Sequence, residues 1–170
     1  MQQIILGIDP GTRITGYGII RLPMEPIDFG CIRPPPNLPL EERYRILFDS
    51  VEALIERHKP TAIAVESQFV LKNPQSAIKL GMAKGMVLLA GARAKIPVYE
   101  YAPKKAKQAV VGKGQAGKFQ VQKMVQTLLR LPAIPEPEDA ADALALAICC
   151  GHDLKHYELR HPCTKRSEAH

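Results

Sequence analysis

At 170 residues, 46% hydrophobic and 24% charged, the chain has the makeup of one soluble globular domain with a real core, and not of a fibrous or disordered protein. Its start lacks the basic opening and long apolar stretch of a secretion signal, and no later apolar run approaches bilayer length, so a cytoplasmic protein is expected. The net charge of +6 is unevenly held: residues 67 to 135 carry twelve Lys or Arg against one acid, Glu100, a net +11 that leaves −5 for the remainder. Such a split favours a polyanionic partner, nucleic acid above all, and a separate acidic site.

Three strands open the chain. The apolar run Ile4 to Ile8 lies in a strand of about 3–9 that ends on Asp9 and turns at Pro10-Gly11. A return strand covers about 15–21, and a third about 27–33, with Ile27, Phe29 and Cys31 alternating. Pro34, Pro35 and Pro36 force an extended loop. The next element is a helix of about 40–58, with Tyr44, Leu47, Val51, Leu54 and Ile55 in one stripe. Ala62 to Val65 reads as a buried strand ending on Glu66. A helix of about 75–94 carries Ile78, Met82, Met86 and Leu89 as an apolar stripe flanked by Gly81 and Gly85, facing either the protein's own sheet or a second copy. Residues 97–101 read as a strand, and the Lys-rich, Gly-punctuated stretch 103–118 receives no element. Helices are expected at about 118–130 and 138–151, and 153–170 is a polar tail outside a single domain of 1–152. Hairpin strands followed by alternating strands and helices predict an α/β fold, a mixed sheet flanked by helices. The four cysteines show no metal-ligand spacing and are expected to be reduced and structural.

The acids need explaining. Asp9 before Pro-Gly has an ordinary reading as a turn residue. Yet Glu66 also ends an apolar strand, and Asp139 and Asp142, three apart, share a helix face. Complementing the helix dipole accounts for Asp139 better than for Asp142, and for neither strand acid. Gathered carboxylates repel one another unless a cation sits among them, and hard oxygen ligands select Mg²⁺ or Mn²⁺. Two such ions roughly 4 Å apart clamp the attacking and leaving oxygens of a phosphodiester. A basic surface to hold a phosphate backbone and an acidic cage to cut it make a metal-dependent nuclease.

Three rival readings stand beside it. Gly112 to Lys118 fits the Walker A spacing, but Phe119 stands where a Ser or Thr hydroxyl is required. The hairpin Asp9-Pro10-Gly11-Thr12 is similar to the phosphate loop of actin-like and sugar kinases, which bind ATP between two such domains in much longer chains. A non-catalytic DNA-binding module would account for the basic charge and leave the four acids unexplained.

The stretches ILGIDPGTRITGYGII, AVESQFVLKNPQSAIKLG, VYEYAPKKAKQAVVGKGQAGKFQVQKMV and EDAADALALAI, in this order and spacing, resemble the RuvC family of Holliday-junction resolvases over about residues 3 to 152. The resemblance implies a ribonuclease H-like fold and a homodimer that nicks paired strands of a four-way DNA junction with Mg²⁺, in recombination and repair. It also implies a branch-migration motor as partner. By position it assigns metal-binding and catalytic roles to Asp9, Glu66, Asp139 and Asp142, and DNA contacts to Phe69, Lys107 and Lys118. Phe69 sits among loop-type residues, where an aromatic ring stacks on an exposed base more readily than it fills a core. For the two lysines, a solvated face is an equal alternative. The proline-rich loop 34–39 and the C-terminal tail are variable against the family's pattern and receive no role.

Overall fold

The computed structural model describes residues 2–67 and 73–160, with side chains to His156. The elements are β1 (Ile4–Asp9), β2 (Thr15–Arg21), β3 (Glu25–Ile32), α1 (Leu40–His58), β4 (Ala62–Glu66), α2 (Pro74–Arg93), β5 (Val98–Tyr101), α3 (Pro103–Val111), α4 (Lys118–Leu129) and α5 (Glu138–Arg160). They form one five-stranded sheet in the order β3-β2-β1-β4-β5. The first three strands pair antiparallel, while β1 with β4 and β4 with β5 pair parallel. This is the expected mixed α/β sheet flanked by helices.

Side-chain alternation divides the core in two. Leu6, Ile8, Ile19, Ile63 and Val65 face α1 and α2, where Leu47, Val51, Ala83 and Val87 meet them. Ile5, Ile20, Ala62 and Ala64 face α3, α4 and α5. The central strands are therefore buried on both faces, which is why they read as continuous apolar runs.

Local signals account for most boundaries. Asn73 caps α2, its side-chain oxygen accepting from the Gln75 N–H at 3.0 Å, with Pro74 in the first turn. The α1 stripe buries Tyr44, Leu47, Val51 and Ile55 as expected.

Four expectations are corrected or refined. First, α3 occupies part of the stretch that received no element. Pro103 starts it, Ala106 and Val110 are its buried pair at i and i+4, and Gly112 ends it in the left-handed region, φ 78°, donating to the Gln108 carbonyl. Second, α5 does not stop near 151 but continues to Arg160, so the first part of the expected tail is helical. Third, the β2–β3 ladder shifts between Ile19 and Ile20, whose partners are Asp28 and Pro26. This bulge leaves Ile27 unpaired, and Ile27 packs on the α1–α2 side while Phe29 packs on the other. Fourth, the α2 stripe splits. Ala83, Val87, Ala90 and Gly91 face the sheet, Met86 is partly buried, and Ile78, Met82 and Leu89 are exposed.

Helix α5 lies unusually close to the sheet. A Cβ on Gly7 would stand 2.0 Å from the Ala143 carbonyl oxygen, and one on Gly16 1.9 Å from that of Asp139. On Gly18 it would meet Leu144 at 2.7 Å. Glycines on adjacent strands and alanines on the helix thus bring backbone against backbone. Among the described residues no helix is long and apolar enough to cross a membrane. Cys31, Cys149 and Cys150 are free thiols, the last two buried, and Cys163 lies outside the described residues.

Candidate active site

Ile8 pairs with Val65 in the parallel β1–β4 ladder, so the next residues, Asp9 and Glu66, end neighbouring strands side by side at one sheet edge. Two-residue alternation turns both towards α5, on the same face as Gly7 and Ala64. The turn after Asp9 is tied down. The Gly11 N–H donates to the Thr15 hydroxyl at 3.2 Å, and that buried hydroxyl faces the Gly11 carbonyl at 3.4 Å. The Arg43 guanidinium donates to the Thr12 carbonyl from α1. The close seating of α5 on Gly16 then delivers Asp139 and Asp142 to the same edge.

Asp9, Glu66 and Asp142 line one small cavity of about 240 Å³ with Lys107, Pro103, Ala106, Ala145 and Leu146. Burial first, then the charges of Glu66, Asp142 and Asp139, push the Asp9 carboxyl up to about 8, against the opposing pull of Lys118. Glu66 is raised by burial and by Asp142, with Lys107 opposing. Asp142 is raised mainly by burial, while Lys107 and Lys118 pull it down. The acids therefore sense one another through a partly buried space, and two lysines partly compensate them.

Asp139 is coupled to Asp9 but lies outside the cavity lining, whereas Asp142, one turn further along, is inside it. Lys107 rides on α3. The Lys118 ammonium, at the start of α4, pairs with Glu138 at 2.7 Å. Phe69 lies outside the described residues. Sequence reasoning missed three neighbours: Glu138, which holds Lys118, and Cys31 with Arg33 at the end of β3. Burial, then the Asp139 charge, push the Cys31 thiol up, with Arg33 opposing. The pairings of Glu138 with Lys118 and of Cys31 with Asp139 join residues far apart in sequence, so no spacing signal marks them. The Walker-like stretch joins α3 to α4, helix to helix, with no preceding strand, so it forms no P-loop.

As the side chains stand, no group of three or more His, Cys, Asp or Glu among the described residues is arranged to hold a metal ion. The donor set itself fits one. It is all carboxylate oxygen, and burial and mutual repulsion disfavour its charged form, a penalty that a hard divalent cation reverses.

A mixed sheet in this strand order, with acids at the ends of its two central parallel strands and on a helix crossing them, is a ribonuclease H-like arrangement. The family model described as "Crossover junction endodeoxyribonuclease RuvC" matches residues 5–150, and the chain belongs to this family. The relative of that name from Protochlamydia amoebophila is 60% identical over 151 residues, covering 87% of this chain and 90% of the relative. The one from Desulforamulus reducens is 52% identical over 150 residues, covering 86% and 92%. Among solved structures, T. thermophilus RuvC in complex with Holliday junction substrate matches with a TM-score of 0.82 at 33% identity, covering 90% of this chain and 96% of that one. The yeast mitochondrial Holliday junction resolvase Ydc2 matches with a TM-score of 0.63 at 15% identity, covering 92% and 82%, a likeness of fold alone.

Proposed function

We propose that this protein is a Mg²⁺-dependent endonuclease that resolves four-way DNA junctions by paired nicks. The observation that carries the reading is the convergence of Asp9, Glu66 and Asp142 on one cavity beneath Lys107, in a chain of the RuvC family. Asp9, Glu66, Asp139 and Asp142 would hold Mg²⁺, or Mn²⁺ in its place. When bound, the ion neutralises charge on the scissile phosphate and makes a water more acidic. The chain's own residues do the rest. The sheet edge and α5 fix the acids in place, and the cavity walls Ala106, Ala145 and Leu146 limit water around them. Lys107 presents positive charge to the phosphate. Lys118 must exchange Glu138 for a backbone phosphate when DNA arrives. Phe69, assigned by its position in the family's motif, stacks on a base of the junction strand.

The working unit in this proposal is a homodimer formed through α2. Ile78 is 63% exposed, Leu89 49% and Met82 47%, and a Cβ on Gly81 or Gly85 would meet nothing within 4 Å. An apolar helix face with open glycines suits close packing against a second copy, and a two-fold dimer presents one site to each of two symmetry-related strands. A branch-migration motor as partner rests on family membership alone. The test is incubation with a synthetic four-way junction, a duplex of the same sequence and a single strand, each with Mg²⁺ or EDTA. Paired cuts in the junction alone, abolished by EDTA, are expected. Equal cutting of the duplex would refute junction specificity, and cutting in EDTA would refute metal dependence.

A further inference from the structure

The most exposed aromatic among the described residues is Phe119. It occupies the Walker-like stretch where a hydroxyl would be needed, and the proposed mechanism gives it no work. On α4 the buried stripe is Val121, Val125 and Leu129, so Phe119 points away from the core and stays 61% exposed. Single exposed apolar residues are ordinary. The neighbours of this one are not. Lys118 precedes it, and the Lys123 ammonium, one turn on, stands 6.0 Å from the ring centroid. Lys118 itself is paired with Glu138, the residue before Asp139. Gln122, also one turn from Phe119, lines an open groove of about 580 Å³ with Arg33, Glu136, Pro137 and Glu138. The ring therefore shares a face of α4 with Gln122, which lines this groove, and the groove's far wall begins the helix that carries two of the site's acids.

We infer that Phe119 is a second stacking platform, which takes an unpaired base of the DNA strand beside the acidic site while Lys118 and Lys123 hold the flanking phosphates. Charge selects this occupant. Residues 67 to 135 carry a net +11. An apolar protein partner would have to desolvate the lysines around the ring, whereas a nucleic acid meets them with phosphates and meets the ring with a base. Strands that leave their partners at a junction expose bases, and an aromatic face accepts any of the four.

The inference rests on the junction-resolving reading for its place in the reaction, but the experiment separates the two. The chain has no tryptophan, so Phe119→Trp creates a single emitter at the proposed contact. Its fluorescence is titrated with a four-way junction, a single strand and a closed duplex, with binding followed in parallel by gel shift. Quenching by junction and single strand, and little by duplex, is expected. Phe119→Ala should weaken junction and single-strand binding roughly 5- to 150-fold, the range of one lost base stack. Phe119→Tyr should restore it, which a merely structural residue would not require. Unchanged indole emission from the Phe119→Trp variant on DNA that gel shift shows to be bound, or Phe119→Ala binding as tightly as wild type, overturns the inference. If the wild type fails to cut junctions, the functional reading falls, and quenching by single strand still decides the stacking role either way.

Discussion

Gly16→Ala tests whether the seating of α5 sets the active-site geometry. The new Cβ would stand 1.9 Å from the Asp139 carbonyl oxygen, 2.3 Å from its carbon and 3.0 Å from the Ala140 nitrogen, all backbone atoms that no rotamer change can move aside. Ordinary contact begins at 3.4 Å, so the first turn of α5 must retreat, or β2 must bow, by about 1 to 1.5 Å in a close-packed interior. That displacement carries Asp139, and with it Asp142, away from Asp9 and Glu66. A misplacement of about 1 Å in reacting groups lowers rates on the order of 100-fold. Overpacking of this kind costs roughly 1 to 3 kcal/mol of stability. In a domain of this size that lowers Tm by about 2 to 12 °C. Single-turnover cleavage of a synthetic junction, run well below the variant's Tm, should show the rate loss while gel-shift affinity stays within a few-fold. Cleavage at the wild-type rate with an unchanged Tm would refute the argument that backbone contact at Gly16 positions the acids.

Asp9→Asn, Glu66→Gln, Asp139→Asn and Asp142→Asn should each abolish cleavage and leave junction binding nearly intact, and near-wild-type cutting by any of them removes that residue from the proposed metal set. Lys107→Ala should reduce the log–log salt slope of DNA binding by about 1, and an unchanged slope returns Lys107 to the role of a solvated surface charge. Folding raises the Asp9 carboxyl from 3.8 to about 8, so between those values the native state holds a proton that the unfolded chain has released, and stability of the metal-free protein falls as pH rises from about 4 to 8. Thermal melts from pH 5 to 8 should show this fall, flattened in Asp9→Asn and offset by Mg²⁺; identical pH profiles for wild type and Asp9→Asn would contradict it. Met82→Glu, at an exposed position, should shift a dimer of the 18.8 kDa chain towards monomer in sedimentation and turn paired cuts into single nicks or none, and a wild-type monomer that still cuts in pairs would dismiss the dimer.

How much of this was legible in the sequence depends on whether the cause was local. Asp9 and Glu66 were legible because an apolar run ending on a carboxylate is unusual, and strand pairing then places the two together. Helix α3 was not, because four of its nine residues are Pro or Lys, only Ala106 and Val110 are buried, and the lysines obscure a short amphipathic pattern. Its markers, Pro103 at the start and Gly112 just past the end, were present without a stripe to frame. The bulge at Ile27 changes which face a side chain takes, and alternation in the sequence cannot register an unpaired residue. In α2, the helical period showed an apolar stripe but not which part of it the sheet would cover. Ala83 and Val87 took the inner face, leaving Ile78, Met82 and Leu89 outside. The glycines at 7, 16 and 18 were visible, but their meaning lies in Ala143, Asp139 and Leu144, more than a hundred residues away.

The two halves of the proposed site rest on supports of different kinds. Asp139 and Asp142 begin the helix that buries every residue from Ala143 to Gly151, and Asp9 and Glu66 end strands buried on both faces. Their positions are inherited from the core, so moving them means moving the fold. Lys107, Lys118 and Phe119 ride instead on α3 and α4, which anchor themselves through two and three buried residues respectively. Groups that meet a metal need fixed positions, since coordination tolerates little displacement. Groups that meet a flexible nucleic acid gain from shorter helices and from side chains such as Lys118, held only by an exposed ion pair worth about 1 kcal/mol or less. The same division accounts for the pairing of Lys118 with Glu138. In the proposed function a weak, exposed partner keeps the ammonium beside the acids and would yield to a phosphate, whereas a buried partner would not release it.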